Sequence, residues 1–263
     1  MQQNTSQVVM VGCGKMGGAL ISQWVSVESV QFTIVDPALA QAPPGSRLAA
    51  REDLQPGSFD ALVVAVKPQM IEDVLPSVTH LLAPEGCVVS IAAGFSMGRF
   101  NALLPNTPVI RIMPNLPAAI GQGVSGLAKN AQAETSHVAL VEALMGAAGR
   151  FIWLDNEDQL DRFTAVAGSG PGYVFEIART YVEAAKALGF SEEQARDLVL
   201  GTLKGTIAMA DGSQESLDDL RNSVTSKNGT TEAGLKALNG DGTLTTLMKQ
   251  TLKAAYDRSI ELR

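Results

Sequence analysis

A glycine-rich turn close to the start of the chain restricts its fold more than any other feature. Gly12, Gly14 and Gly17 follow the spacing G-x-G-x-x-G, after an apolar run at 8–11 and before a helix predicted over about 16–25. In this context the first glycine permits a tight turn, the second lets the backbone approach a pyrophosphate, and the third lets the helix pack on the strand. The amide groups that open the helix can bind the phosphates. The turn therefore predicts a dinucleotide site, the alternative being a glycine-rich turn without a ligand.

The residues assigned to this turn are consecutive: Gly12, Cys13, Gly14, Lys15, Met16 and Gly17. Asp36 follows the second predicted strand, about 20 residues further on, where a carboxylate binds the adenosine ribose and repels a 2′-phosphate. Asp36 thus favours NADH over NADPH, unless it only forms the turn before Pro37. Arg47 and Arg51 could bind a phosphate if their loop folds back.

Short apolar runs alternate with helix-like stretches over residues 1–155. The runs predict strands, and because they lack alternation of apolar and polar residues, the sheet is covered on both faces. These predicted strands are 8–11, 32–35, 61–66, 87–91 and 109–112. We therefore predict a Rossmann-type, doubly wound parallel sheet that binds a dinucleotide.

From Asn156 onward the pattern becomes helical. Asn156 with Gln159, and Ser191 with Gln194, resemble capping boxes that open helices. Apolar residues at helical spacing predict helices over 173–188, 192–210, 232–238 and 244–262. We predict that residues 156–263 form an all-helical domain whose many small residues allow tight packing, including packing across a subunit boundary.

Composition and charge exclude several classes of protein. The net charge is −7, which disfavours nucleic acid as a ligand. Two cysteines and two histidines are too few for a disulfide framework or a zinc site, so no metal is expected. The longest apolar run, at 61–66, is too short to cross a membrane, and the polar start lacks the pattern of a secretion signal. We expect no membrane partner and a cytoplasmic location.

Three segments leave the predicted strands at the carboxyl edge of the sheet, where ligands bind in such folds. They cover residues 65–69, 90–94 and 111–117. Lys67 would lie near the nicotinamide, and Pro68 suits the first turn of a helix. The alternative is that Lys67 is a solvated loop residue.

Together with the glycine turn, these segments resemble the pyrroline-5-carboxylate reductase family. So do residues 167–173 and 220–231 in the helical half, which are the more diagnostic because many dehydrogenases share the first half. The resemblance implies that NADH or NADPH reduces the C=N bond of L-1-pyrroline-5-carboxylate to L-proline. The family commonly prefers NADPH, whereas Asp36 favours NADH. It also implies a homodimer through the helical domain, with further assembly into rings.

The resemblance assigns site residues as well. Beyond the glycine turn and Asp36, it implies cofactor binding by Ala65, Val66, Lys67, Pro68, Ala92, Ala93, Gly94 and Asn115. It implies substrate binding by Ser226, Gly229, Thr230 and Thr231. The substrate carboxylate would bind to amides at the helix start, and the Thr231 hydroxyl would contact the ring nitrogen. Thr231 and Lys67 are the candidate catalytic residues.

The residues support the substrate site independently. A Gly-Thr-Thr sequence at a helix start offers amide donors and a positive helix end to a carboxylate, although Thr230 or Thr231 could merely cap the helix. The chain departs from the family at Lys227 and Asn228, which replace a usual Pro-Gly pair. Asn228 tolerates a positive φ and can stand in for glycine, whereas Lys227 makes a more mobile loop.

Two other functions compete with this interpretation. A 3-hydroxyacid dehydrogenase of similar shape needs a lysine in the helix after the Gly168–Gly170 segment, and residues 172–181 contain none. A protein that senses or scaffolds through a bound dinucleotide needs no turnover, and the intact segments around Lys67, Asn115 and Thr231 disfavour it.

Overall fold

The computed structural model describes residues 5–263 and begins with an eight-stranded sheet. Its order is β3-β2-β1-β4-β5-β6-β7-β8, and every pairing is parallel except that of β6 with β7. The strands are β1 (Ser6–Val11), β2 (Val30–Val35), β3 (Arg47–Leu48), β4 (Phe59–Val64), β5 (Leu82–Ser90), β6 (Val109–Met113), β7 (Gly123–Lys129) and β8 (Gly149–Trp153). The predicted doubly wound sheet and its five strands are confirmed.

The sequence analysis missed β3, β7 and β8. Strand β3 has two residues and carries no detectable pattern. In β7, Gly123 and Gly126 replace the branched side chains that mark a strand, because close neighbours leave no room: a Cβ on Gly126 would lie 2.8 Å from the Phe163 ring. Strand β8 lies at the sheet edge and is only partly buried.

Helices cover both faces of the sheet. They are α1 (Lys15–Trp24), α2 (Ile71–Val78), α3 (Met97–Leu103) and α4 (Thr135–Ala148). Successive residues of β1 point to opposite faces, so Val8 and Met10 join one apolar cluster while Val9 and Val11 join another. This two-sided burial explains why the central strands read as unbroken apolar runs.

The remainder of the chain is helical, as predicted. The helices are α5 (Glu157–Phe163), α6 (Gly170–Ala187), α7 (Glu192–Asp211), α8 (Leu217–Ser223), α9 (Thr230–Asn239) and α10 (Thr243–Glu261), with a π-helical turn at Thr164–Gly168. The capping box at Ser191 and Gln194 is confirmed. Asn156 does accept the Gln159 N–H, but the Gln159 side chain binds the N–H of Asp155 instead, so that box is only half formed.

The chain divides into two compact units. The sheet unit contains the residues up to Pro171 together with Ala255–Arg263, and the helical unit contains Gly172–Ala254. Strands give way to helices between the end of β8 and the start of α5. The compact sheet unit nevertheless extends through α5 and the π-helical turn, so the predicted division into domains at residues 155–156 stays a prediction. Among the described helices, none has the length and apolar composition needed to cross a membrane.

Candidate active site

A cavity of about 830 Å³ opens at the carboxyl ends of β1, β2 and β4, the edge at which the sequence places a ligand. Its wall is built from the glycine turn, the residues that follow β2, the segment after β3, and the segment after β4. These lining residues include Gly12, Cys13, Gly14, Asp36, Pro37, Ala38, Ala49, Ala50, Arg51, Glu52, Ala65, Val66 and Lys67. All of them belong to the sheet unit, so one compact unit provides the whole cavity.

The three glycines of the turn have the geometry predicted for them. Gly12 has φ +83°, and a Cβ there would lie 2.8 Å from Val66 Cγ1 and 3.0 Å from the Ala65 carbonyl carbon. A Cβ on Gly14 would meet open space, which leaves the backbone accessible. A Cβ on Gly17 would lie 3.4 Å from the Ala65 Cβ, so this glycine allows α1 to pack on the sheet.

Helix α1 begins without a side-chain cap. Its N-cap residue is Gly14, which has no side chain to accept the first amides. The N–H groups that precede it are used within the protein, since Gly12 donates to Val35 O at 2.9 Å and Cys13 donates to Asp36 Oδ2 at 2.7 Å. The amides of the first helical turn therefore keep the donor capacity that binds phosphate groups.

Asp36 is held firmly in the cavity wall. Besides the Cys13 bond, its Oδ1 accepts the Ala38 N–H at 2.9 Å, so Asp36 does form the turn considered in the sequence analysis. That turn also fixes the carboxylate on the lining of the cavity. Arg51 lines the same cavity and is paired with Glu52 at 2.9 Å, whereas Arg47 donates to Thr33 Oγ1 at 3.3 Å.

Cys13 is a buried residue of the turn rather than a reactive thiol. Burial, and secondarily the negative charge of Asp36, raises the pKa of the Cys13 thiol. The side chain packs in the apolar cluster on the α1 face of the sheet. Both observations agree with an ordinary small side chain that fills the turn. Of the remaining turn residues, Lys15 is exposed and Met16 packs partly against the same cluster.

The segments after β4 and β5 differ in their relation to the cavity. Lys67 lines it, and Pro68 opens a short 3-10 helix, as predicted for a proline at a first turn. Ala92, Ala93 and Gly94 lie outside its lining. Ala92 is buried and Ala93 is exposed, so this segment turns from the core to the surface within two residues.

Asn115 is buried, and its amide is bonded within the protein. Its Nδ2 donates to Ala167 O at 3.0 Å, and its Oδ1 accepts the Val124 N–H at 2.9 Å. The side chain therefore ties the end of β6 to β7 and to the π-helical turn. The predicted contact of Asn115 with a cofactor stays a prediction. Its two hydrogen bonds hold these three segments together.

The predicted substrate loop opens α9 in the helical unit. Gly229 is the N-cap residue and no side chain caps the helix, so the alternative in which Thr230 or Thr231 caps it is wrong. The Gly229 N–H is already donated to Ser226 O at 3.0 Å, which leaves the amides of Thr230 and Thr231 as donors for an anion. A Cβ on Gly229 would collide with the Ser226 hydroxyl.

Asn228 has φ +58°, and it is the one non-glycine residue with a positive φ among those described. The prediction that this asparagine takes a glycine-like conformation is confirmed. Its N–H is hydrogen-bonded to the Glu232 carboxylate, so the residue that replaces a family glycine is tied to the first turn of the helix.

Sequence reasoning missed a buried ion pair near the carboxyl edge of the sheet. Arg111 of β6 binds Glu157 of α5, and burial lowers the pKa of the Arg111 guanidinium despite the opposing effect of Glu157. A charged residue in the otherwise apolar sequence of β6 was the available signal. No cluster of side chains able to hold a metal ion occurs within residues 5–263, the part that the structure describes.

Comparison with known proteins covers both halves of the chain. A family model described as pyrroline-5-carboxylate reductase dimerisation matches residues 157–262, and one described as NADP oxidoreductase, coenzyme F420-dependent, matches residues 7–94. A pyrroline-5-carboxylate reductase of Pseudomonas aeruginosa is 37% identical, with 98% of this chain and 97% of the relative covered.

Solved structures agree with this result. A pyrroline-5-carboxylate reductase from Coxiella burnetii matches with a TM-score of 0.89 at 30% identity. The match covers 98% of this chain and 99% of the Coxiella chain. A pyrroline carboxylate reductase from Plasmodium falciparum, solved with NADP bound, shares the fold with a TM-score of 0.87 at 23% identity, covering 98% of each chain. Because relatives at 30% identity and above span nearly the whole length, this chain belongs to the pyrroline-5-carboxylate reductase family.

Proposed function

We propose that the protein reduces the C=N bond of L-1-pyrroline-5-carboxylate to L-proline, the last step of proline biosynthesis, with NADH or NADPH as the reductant. The observation that carries the proposal is the start of α9, a glycine-capped helix in the segment where the family binds its substrate. Two free amides at the positive end of a helix suit the carboxylate of a cyclic imino acid.

The sheet unit provides the cofactor site in this proposal. The diphosphate binds at the first turn of α1, over Gly14, and the adenosine ribose binds to Asp36. Lys67, Pro68 and the Ala92–Gly94 segment receive the nicotinamide half. When bound, the reduced nicotinamide supplies the hydride, and the protein supplies position and electrostatics.

The loop before α9 provides the substrate site. The Thr230 and Thr231 amides hold the carboxylate, and Ser226 fixes the turn through its bond from Gly229. The Thr231 hydroxyl hydrogen-bonds the ring nitrogen, and the proton that this nitrogen needs comes from the hydroxyl, from water, or is already on the substrate. Holding the acceptor carbon in a reactive geometry lowers the barrier by several kcal/mol, about 7–11 kcal/mol in favourable cases. Hydride transfer requires this loop to meet a bound cofactor of the same chain or of a partner chain.

We propose a preference for NADH. A 2′-phosphate at the ribose position would approach the Asp36 carboxylate. The orientation of this carboxylate is fixed by two hydrogen bonds from backbone N–H groups. The nearby cation, Arg51, is already paired with Glu52, which also lines the cavity. The local charge thus opposes an added phosphate, in contrast to the NADPH preference common in the family.

The proposal includes a homodimer formed through the helical unit, dimers that assemble further into rings, and a cytoplasmic location. Support for the dimer comes from large apolar side chains that the helical unit leaves exposed in the single chain. These residues include Phe175, Leu188, Ile207, Met209, Leu217 and Val224. Exposed apolar surface of this extent is typical of a protein interface.

The direct test is an assay of reduced-cofactor oxidation upon addition of L-1-pyrroline-5-carboxylate, with NADH and NADPH compared. Thr231→Ala should lower kcat/KM about 10- to 100-fold, because it removes one hydrogen bond to a developing charge. Thr231→Ser should recover most of the activity, and Thr230→Ala, which keeps the amide, should change it little.

Three outcomes would decide against the proposal or its details. If Thr231→Ala is as active as the parent, the assigned role of the hydroxyl is wrong. Turnover of 3-hydroxy acids with the oxidised cofactor, and none of the imino acid, would favour a dehydrogenase. Tight cofactor binding without any turnover would favour a sensing or scaffolding protein.

A further inference from the structure

Helix α5 carries three acidic residues and lies in the sheet unit. Glu157 and Asp161 are separated by four positions, so they project from the same side of this two-turn helix. The Asp161 residue is only 8% exposed, which is unusual for a carboxylate. Each of the two binds a different cation from a distant part of the chain.

Glu157 reaches toward the segment after β5 through Arg111. The Arg111 side chain is 6% exposed, its Nη1 pairs with Glu157, and its Nη2 donates to the Ala92 carbonyl oxygen at 3.5 Å. Arg111 Nε and Glu157 Oε2 are buried without a hydrogen-bond partner in the described structure. Burying an ion pair that leaves polar atoms without hydrogen bonds costs free energy of folding. The Arg111–Glu157 pair is therefore better explained by the segment that it holds in place than by added stability.

Asp161 reaches the same segment from another direction. It accepts a hydrogen bond from Ser259 Oγ at 2.7 Å and pairs with Arg263, so it anchors the end of α10. The neighbouring residue Leu262 lies directly against Gly94, where an added Cβ would be 2.6 Å from the Leu262 carbonyl oxygen. Gly94 has φ +73°, a conformation that suits glycine at a close approach.

We propose that Glu157 and Asp161 are positioning residues that set the Ala92–Gly94 segment for the nicotinamide half of the cofactor. Glu157 acts through Arg111 on Ala92, and Asp161 acts through the end of α10 on Gly94. The inference rests on the proposed function, because it takes this segment as part of the cofactor site. It adds a specific claim: two carboxylates on one helix, neither touching the cofactor, control how that segment is held.

The test uses Asp161→Asn and Glu157→Gln in the full-length protein. Reduced-cofactor affinity is measured by fluorescence titration, and kcat and both KM values by steady-state kinetics. We expect cofactor affinity and kcat to fall about tenfold, while KM for the imino acid stays within about twofold, because misplacing one reactant affects binding and geometry of that reactant. A merely structural role would lower Tm and leave these constants unchanged in the folded fraction.

Glu142→Gln is the matched control. Glu142 lies on α4 in the sheet unit and accepts the Trp153 Nε1–H at 2.6 Å, so it is also a hydrogen-bonded carboxylate. Unlike Glu157 and Asp161, it binds neither Arg111 nor the end of α10. It should behave as the parent. Ser259→Ala removes one partner of Asp161 and should give a smaller change in the same direction, which keeps the inference testable if Asp161→Asn fails to fold.

The outcomes separate this inference from the proposed function. A parent protein that binds the cofactor but does not reduce the imino acid would refute the function, and the titrations would still test the positioning claim. Unchanged cofactor affinity and kcat in Glu157→Gln and Ser259→Ala would overturn the inference. An equal loss in Glu142→Gln would also overturn it, since the effect would then not be specific to this helix.

Discussion

The sheet unit and the helical unit bury their apolar residues in very different ways. In the sheet unit, two large clusters of fully buried side chains fill both faces of the sheet. In the helical unit, the buried apolar residues are small, and they are Ala178, Ala185, Ala195 and Val199. The difference indicates that the sheet unit completes its core alone, whereas the helical unit needs a partner surface to cover residues such as Leu188, which is 82% exposed.

The two units also share a helix start that is suited to binding an anion, in different settings. Each has a helix that begins at a glycine without a side-chain cap, α1 at Gly14 and α9 at Gly229. The first lies in a turn packed against the buried strands, and the second follows an exposed loop tied by Asn228. A rigid cofactor site and a loop-based substrate site are the expected result.

The largest effect should come from placing a charge on the exposed apolar surface of the helical unit. Ile207→Asp should weaken self-association about a hundredfold or more and abolish most activity, because a buried charge at an interface is costly. Ile120→Asp is the matched control, since Ile120 in the sheet unit is 70% exposed and Ile207 is 65% exposed. Sedimentation should show dissociation for Ile207→Asp alone. If Ile207→Asp and Ile120→Asp weaken self-association equally, the exposed apolar surface of the helical unit is not the specific interface proposed here.

Substitutions in the glycine turn should separate folding from cofactor binding. Gly12→Ala should destabilise the fold by about 1–3 kcal/mol, because its Cβ enters packed atoms at a positive φ, and should weaken cofactor binding about 30-fold. Gly14→Ala should leave Tm unchanged and still weaken binding about tenfold, because its methyl group stands where the diphosphate approaches. Thermal unfolding and fluorescence titration measure both. Normal cofactor affinity in Gly14→Ala would place the diphosphate elsewhere.

Asp36→Asn should change the choice of cofactor. The single amide oxygen can accept only one of the two N–H groups that Asp36 binds, from Cys13 or from Ala38, so the charge is removed at the cost of one hydrogen bond. We expect the ratio of kcat/KM for NADPH to that for NADH to rise about tenfold, as repulsion of a 2′-phosphate is relieved. Glu52→Gln, which frees Arg51, should produce a smaller shift in the same direction. An unchanged ratio in both variants would contradict the assignment of this end of the cavity.

The smallest effect at neutral pH, which develops only above pH 9, concerns the buried core of the sheet unit. Burial, with a secondary contribution from Asp60, raises the pKa of the Cys87 thiol from 9.0 to about 12. The resulting stability is fully present below pH 9 and is lost as the pH rises toward 12, by about 1.4 kcal/mol per pH unit. Cys87→Ala should therefore show a shallower decline of unfolding free energy above pH 9 in urea titrations. Identical slopes would mean that the thiol is not buried.

Much of this architecture could be predicted from local patterns. Unbroken apolar runs predicted the five central strands, and the spacing of Gly12, Gly14 and Gly17 predicted the tight turn that opens α1. The edge strand β8 and the glycine-containing β7 were missed. Their residue types depend on packing against neighbours that are distant in sequence, and local patterns do not show such neighbours.

The parts of the site that depend on distant pairs could not be predicted. Arg111 meets Glu157 across 46 positions, and Asp161 meets Ser259 across 98. The amide of Asn115 likewise binds groups on two other segments. No periodicity or motif encodes such contacts, whereas the loop at Ser226–Thr231 was found because it resembles a family segment.

A crystal structure of the protein with oxidised cofactor and L-proline would test the central claim most directly, that a glycine-capped helix in each unit binds one anion. The account predicts the diphosphate at the first turn of α1 and the proline carboxylate within hydrogen-bonding distance of the Thr230 and Thr231 amides. Proline bound away from the start of α9, with those amides directed to solvent, would contradict it.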